Sequence, residues 1–426
     1  MPRVPEQRPA ESVKPAAPDA PVKTDAPPAP PDPSHLSRLA ADFAAHAHDH
    51  AARWDQDGGL PDSVRKEFTA SGLLAADLPE RYGGAGLDPL TLGEITTRIG
   101  GECSALRGLL TVQGMVAAAL LRWGTEAQRA DWLPRLAAGE LTAGFAVTEQ
   151  GAGSALGAVE TRIEASGRSG GEELVVTGRK RWITFGAVAD VFLVLGTYEG
   201  RPATVLVDAD RAGVEREPVN GQLGMRAARI AHLSFDGVRV PRSRLVAPPG
   251  AGLSHVVGTA LDHGRFTVAW GCVGMAEACV EDAATHAALR RQGDLLLGDH
   301  QLVRSLLARA AVDAAGARGL ARKAAEARAP GPGHGVPETL MAKYAAASAA
   351  ATGSRDAVQV LGSAGCAPDS RAGRHFRDAK VMEIIEGAQQ VSELHIAERL
   401  LRRFGDAARG THRPAGPRLP VPGTSS

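Results

Sequence analysis

Aromatic side chains are scarce in this chain, at 4% of 426 residues, and cysteine is scarcer still. The four cysteines, Cys103, Cys272, Cys279 and Cys366, are scattered and form no CxxC pair. That excludes a zinc ribbon or a disulfide scaffold, predicts reduced thiols, and leaves no metal site to expect. A surplus of either charge is also missing: 48 Lys and Arg balance 48 Asp and Glu. A general nucleic-acid partner, which favours a basic surface, is therefore not expected. No apolar run reads as long enough, at roughly 18 residues, to cross a membrane. The first residues contain no apolar signal segment, so a cytoplasmic location is the expectation. What is abundant is alanine and glycine. Alanine favours helix, and the length suits two or three domains.

Residues 1–34 are dense in proline, alanine and charge, and proline removes backbone donors, so they read as a disordered tail. Residues 406–426, with Pro414, Pro417, Pro420 and Pro422, read the same way. From 35 to 141 the apolar spacing is helical, as in Leu36, Leu39, Ala40 and Phe43. Asp62 is expected to cap a helix starting near Ser63. After the turn at Arg81 to Gly86, a long helix carries Leu106, Leu109, Leu110, Val112, Met115 and Val116. From 142 to 249 short strands take over at Leu174–Val176, Val191–Leu195, Ala203–Val207 and Ile230–Phe235. From 250 to 405 the helical period returns, with Val303, Leu306, Leu307, Ala310, Ala311 and Ala314 on one stripe. The predicted fold is mostly α with a β insertion. It lacks the alternating βαβ order of a dinucleotide-binding sheet, and no GxGxxG follows a strand.

Two stretches carry chemistry. Met382 to Gln390 places Glu386 next to Gly387 inside an apolar run. A carboxylate in apolar surroundings has a raised pKa and can serve as a general base, although an ordinary solvated helix Glu has the same local sequence. Phe145 to Ser154 reads as a strand followed by a Gly-rich turn, a shape that cradles phosphates and flavin edges because glycine lets the backbone approach.

Taken with their order, these motifs resemble the acyl-CoA dehydrogenase family over residues 35 to 405. Phe145-Ala146-Val147-Thr148-Glu149-Gln150-Gly151-Ala152-Gly153-Ser154 resembles its first signature, and Lys180 to Gly186 its flavin-facing strand. Gly224-Met225-Arg226, Phe235 to Pro241, Leu261-Asp262-His263-Gly264-Arg265, Gln359 to Gly365 and Arg377 to Lys380 follow in order and lead into Ile385-Glu386-Gly387. The resemblance implies an N-terminal helical domain, a middle β-barrel-like domain, a C-terminal four-helix bundle and bound FAD. It implies that Phe145, Val147, Thr148 and Ser154 line the flavin, that Trp182 and Thr184 face it, and that Arg290 contacts the diphosphate of a neighbouring subunit. Gln359, Gly362 and Gly365 would approach the ADP half. Glu386 would be the catalytic base, with Asp262, Arg265 and Gly387 around the substrate. Three positions depart from the pattern: Gly293-Asp294 stands where the family has Phe-Gly, Ala388 where it has Thr, and Ala155 where it has Asp. His263 and His300 read as positions without chemistry.

The implied reaction removes an α-proton and a β-hydride from an acyl thioester. The segment Glu102 to Val116 is similar to the branch that makes hydroxymalonyl- and methoxymalonyl-carrier-protein extender units in polyketide biosynthesis. A short hydroxylated acyl group of glyceryl type on an acyl carrier protein is therefore the expected substrate. The alternatives are an ordinary acyl-CoA dehydrogenase acting on a CoA thioester, a flavin monooxygenase on the same fold, and a non-enzymatic scaffold that docks carrier proteins. An electron acceptor for the reduced flavin and a homodimer or homotetramer are also implied.

Overall fold

A computed structural model of the chain describes residues 33–167 and 172–411. Most of the two expected tails, 1–32 and 412–426, lies outside the described residues. The inner edges are helical instead: α1 (Pro33–Asp57) takes in residues 33 and 34, and the last helix runs to Thr411. Proline is tolerated in a first helical turn, and alanine and arginine continue a helix well.

The N-terminal part is helical: after α1 come α2 (Asp62–Ala70), α3 (Pro89–Gly100), α4 (Ser104–Trp123) and α5 (Glu126–Ala137). Asp62 does not cap α2. It is the first helical residue, Pro61 holds the cap position, and no side chain bonds there. The caps that form are Asp88, which accepts from the backbone of Leu90 and Thr91, and the reciprocal Thr125–Gln128 box that starts α5. By length and composition α4 could cross a bilayer, which the sequence reading did not allow for. It is 89% buried inside the protein, and that is why it is apolar all round.

Eight strands follow: β1 (Ala143–Ala146), β2 (Arg162–Ala165), β3 (Glu173–Ile183), β4 (Val191–Tyr198), β5 (Arg201–Asp208), β6 (Val214–Pro218), β7 (Ala231–Pro241) and β8 (Leu245–Val246). Their order is β6-β7-β3-β2-β4-β5-β8, with β1 parallel to β4. The expected barrel-like closure is absent, and the sheet is open. Closure needs its edge strands to pair, but β8 has two residues and β6 ends in a proline.

The C-terminal part is α6 (Gly258–Leu289), a small hairpin of β9 (Arg291–Gln292) and β10 (Leu295–Leu296), then α7 (Gln301–Arg328), α8 (Val336–Leu361), α9 (Arg371–Met382) and α10 (Gln389–Thr411). Helices α6, α7 and α8 pack on one another, and α10 joins them through α8. Helix α6 is the hub, because α3 and α4 cover its other face. The backbones of α3 and α6 touch: a Cβ at Gly274 would lie 2.0 Å from the Thr97 carbonyl oxygen.

Because that neighbour is backbone, Gly274→Ala must push α3 and α6 apart. A loss of about 1–3 kcal/mol is expected, read as a lower denaturant midpoint with an unchanged slope. An unchanged midpoint would show that the contact is not tight.

Candidate active site

The turn after α9 is held in an uncommon conformation. Glu386 has φ +56°, and Gly387 follows at φ +101°. A non-glycine residue in the left-handed region costs roughly 1–2 kcal/mol, so something must hold it there. Two cations do so, Lys343 buried and Arg265 half-buried. Arg265 of α6 donates from Nε to the Glu386 carbonyl at 2.8 Å, and Lys343 of α8 donates from Nζ to the Gly387 carbonyl at 2.9 Å. Neither cation has a carboxylate within ion-pair distance among the described residues.

This turn lays the Glu386 carboxyl group on Gly264 of α6. A Cβ at position 264 would come within 3.0 Å of the carboxyl carbon and 2.8 Å of Met115 Sδ. Burial raises the Glu386 pKa above the ordinary carboxylate value, against the opposing pull of Arg265, Lys343, Arg107 and His263. The Glu386 backbone N–H has no hydrogen-bond partner among the described residues. The site thus offers a base and, beside it, a free donor.

Helices α4 and α6 run antiparallel and form the walls. Met115 meets Gly264, Thr111 bonds Thr267 at 2.9 Å one turn deeper, and Arg107 meets Gly271 one turn further. Arg107 is 2% exposed and has no carboxylate partner among the described residues. Its guanidinium reaches Thr111 Oγ1 at 3.3 Å and Met382 Sδ at 2.9 Å, and burial lowers its pKa. The inner end of the site is therefore polar. Toward solvent lies a channel of about 1150 Å³ that passes Asp262, His263 and Arg265 and opens near Arg81 and Arg122. Asp262 accepts from Arg328 through Oδ2 at 2.5 Å, while its Oδ1 is buried without a partner.

The sheet supplies another face. Phe145 and Leu261, the latter at the start of the α6 segment that carries Asp262 and Gly264, pack against one buried cluster that includes Val147. A buried ion pair fixes the Gly-rich turn. Lys180 donates to Glu149 at 2.7 Å and to the Val147 carbonyl at 3.1 Å, and Glu149 also accepts from Thr161 and from the Glu160 N–H. Burial pulls Lys180 down to about 8 despite that partner. Trp182 has φ +61° and is 56% exposed, and its ring meets His232 edge-on at 5.3 Å. Thr184 lies near Gly108 of α4, so the strand and the pocket wall meet there. The side-chain hydroxyls of Thr148, Ser154 and Thr184 make no hydrogen bond among the described residues.

The expected site residues fall into three groups. Glu386, Gly387, Asp262 and Arg265 converge on one turn of α6. Phe145, Val147, Thr148, Trp182 and Thr184 lie along the sheet face, and Ser154 is in its exposed turn. Arg290, Gln359, Gly362 and Gly365 are elsewhere. Arg290 lies 26 residues beyond Gly264 on α6, about 39 Å at the helical rise. Val360 and Leu361 pack against Ala283 and Ala287, so Gln359 and Gly362 share that far end. Gly293 and Asp294 form the tip of the β9–β10 hairpin, with Gly293 at φ +59°.

Sequence reasoning missed Lys343, Arg107, His263 and the Lys180–Glu149 pair. His263 bonds Asp77 at 3.1 Å along the channel. Lys343 and Arg107 had a readable signal, since each is a cation at an apolar position of a helix.

Family models match along the chain: acyl-CoA dehydrogenase N-terminal domain over residues 31–140, middle domain over 144–238 and C-terminal domain over 250–401. Glutaryl-CoA dehydrogenase of Desulfococcus multivorans is 31% identical over 357 residues, covering 82% of this chain and 90% of that protein. Among solved structures, FkbI, for biosynthesis of the methoxymalonyl extender unit of the FK520 polyketide immunosuppressant, is 40% identical with a TM-score of 0.79, covering 86% of this chain and 99% of that one. Butyryl-CoA dehydrogenase from Megasphaera elsdenii is 26% identical with a TM-score of 0.82, covering 87% and 98%.

Lys343 carries a pH prediction. Burial lowers its pKa from 10.5 to about 8. Below 8 both folded and unfolded chains hold the proton. Between 8 and 10.5 the unfolded chain keeps it and the folded chain does not, so stability rises with pH in that window. The gain is about 3 kcal/mol. Urea unfolding at pH 8 and 10.5 should show it as a rise in the native protein relative to Lys343→Met; a constant difference would refute it.

Proposed function

The chain belongs to the acyl-CoA dehydrogenase family, and on that premise we propose that it is an FAD-dependent dehydrogenase that takes an α-proton and a β-hydride from a short hydroxylated acyl thioester on an acyl carrier protein. The carrying observation is the Glu386 carboxyl laid on Gly264 with its own N–H left free.

The residues present fit a flavin. An aromatic ring as large as Trp182, half exposed beside a Gly-rich turn and three unbonded hydroxyls, is suited to lie against a flat heteroaromatic group. Phe145, Val147, Thr148, Ser154, Trp182 and Thr184 would hold it. Bound FAD supplies the hydride acceptor. The chain supplies the rest. Glu386 takes the α-proton, and burial makes its carboxylate the stronger base. Its N–H donates to the thioester oxygen as charge builds there, a stabilisation typically worth a few kcal/mol. Arg265 and Lys343 hold both groups at the needed angle. The unpaired Asp262 Oδ1 accepts from an amide of the pantetheine arm.

The hydroxylated acyl group is supported by the polar inner wall formed by Arg107, Thr111 and Thr267. With a 2,3-dihydroxyacyl group the product of proton and hydride removal is an enol. It tautomerises to an aldehyde without a further catalytic group. The likeness to FkbI, which serves biosynthesis of a methoxymalonyl extender unit, supports a small oxygenated acyl group of the extender-unit kind, for which a carrier-protein thioester is our reading. The relatives named for CoA substrates support the second reading, a CoA thioester in the same pocket.

Arg290 is exposed without a side-chain partner among the described residues, and apolar Leu289, Leu295 and Leu302 near it are also exposed. These features support a homodimer or homotetramer in which Arg290, with Gln359, Gly362 and Gly365, serves a neighbour's flavin.

Glu386→Gln should keep the yellow flavin and lose turnover at least about a hundredfold, read as slower bleaching by a glyceryl thioester. Near-normal bleaching would refute the base. Sedimentation should find the flavin-loaded protein as a dimer or tetramer, and a fully loaded monomer would refute the shared site.

A further inference from the structure

The channel that passes Asp262, His263 and Arg265, next to the Glu386 turn, also carries Arg81 and Arg122 in its lining. The acids that line it are already engaged. Asp77 is bonded to His263, Asp262 to Arg328, and Asp88 holds Leu90, Thr91 and the Thr91 hydroxyl as the cap of α3. The arginines at the mouth are not engaged with any carboxylate among the described residues. Arg81 lies over the Tyr82 ring at 4.8 Å, and Arg122 over the Trp123 ring at 5.4 Å. Arg129 donates to the Gly124 carbonyl at 2.9 Å, which places it at the end of α4 that carries Arg122. Arg81 and Arg129 both flank the Tyr82 hydroxyl: hydrogen bonding from Arg81, then the charges of both arginines, lower its pKa. Stacking on rings fixes the direction of a guanidinium while leaving its donors free, which is how arginine is prepared for phosphate.

We propose that Arg81, Arg122 and Arg129 form a clamp for the phosphate of a 4′-phosphopantetheine arm and for the acidic carrier protein that bears it. This rests on the reading of the substrate as carrier-borne. Antiparallel α4 and α6 set the direction: the acyl group lies inward at Met115 and Gly264, and the arm runs outward past Asp262 to Trp123, whose Nε1 bonds Thr259 at 2.8 Å. The phosphate then emerges among the three cations. A CoA ester would present a phosphate at the same place, so the carrier must add contacts of its own to be preferred.

Calorimetric binding to the flavin-loaded protein tests the clamp without turnover. The probes are pantetheine, 4′-phosphopantetheine, CoA and a holo acyl carrier protein. Phosphopantetheine should bind about tenfold more tightly than pantetheine, equal to about 1.4 kcal/mol, and the ratio should fall to near one in Arg81→Glu/Arg122→Glu. The Lys pair at the same positions should restore part of it, as a point charge does. The holo carrier should bind more tightly than CoA, and added salt should erode that preference. Equal binding of pantetheine and phosphopantetheine to the native protein would overturn the clamp. Tighter binding of CoA than of the carrier would overturn the choice of partner. Unchanged bleaching by an N-acetylcysteamine thioester, which has no phosphate, should show that the charge-reversed variant is folded; lost bleaching there would count against a clamp role. The function reading fails separately, if no thioester bleaches the native flavin.

Discussion

Two cations, one buried and one half-buried, gripping two adjacent carbonyls are the constraint on which this site depends. Arg265 and Lys343 come from different helices, and each spends its charge on a backbone oxygen, not on a carboxylate. That choice does two things. It stabilises a left-handed residue that would otherwise relax, and it leaves both positive fields acting on the Glu386 carboxyl. Burial raises the pKa of that group while the cations pull the other way; the net shift is upward, which makes its carboxylate the stronger base.

The same logic explains why α6 sits at the centre. Its contact with α3 is backbone on backbone at Gly274, and Gly264 leaves room for the base. One helix thereby fixes the base, the inner wall and the channel in a single frame. The sheet is tied to that frame at Phe145 and Thr184, and the Lys180–Glu149 pair pins its Gly-rich turn. Removing one member of such a pair leaves a buried charge alone, so it holds the loop firmly even where its net contribution to stability is small.

Much of the architecture was legible in the chain. The helical spacing around Leu106 to Val116 and the β-rich run at Val191 to Leu195 are patterns that only burial on a helix or a sheet explains, and both formed as read. The errors were local or global in a telling way. Asp62 lost its cap role to Pro61 because a cap depends on which residue leaves the helical geometry first. The sheet stayed open because closure depends on distant edges meeting, which no local pattern records. His263 looked inert because its partner, Asp77, is 186 positions away.

By itself the sequence determined the order of helical and β segments, the candidate base and the Gly-rich turn, because each is written in neighbouring residues through periodicity, backbone freedom and the polarity of a short run. Only the tertiary structure decided which cations surround Glu386, where its carboxyl points, that Arg107 lies unpaired at the inner wall, and that Arg290 stands far from the site of its own chain. Those are matters of distance through space. Burial and electrostatic fields are set by whatever the fold brings close, and a linear chain does not state it.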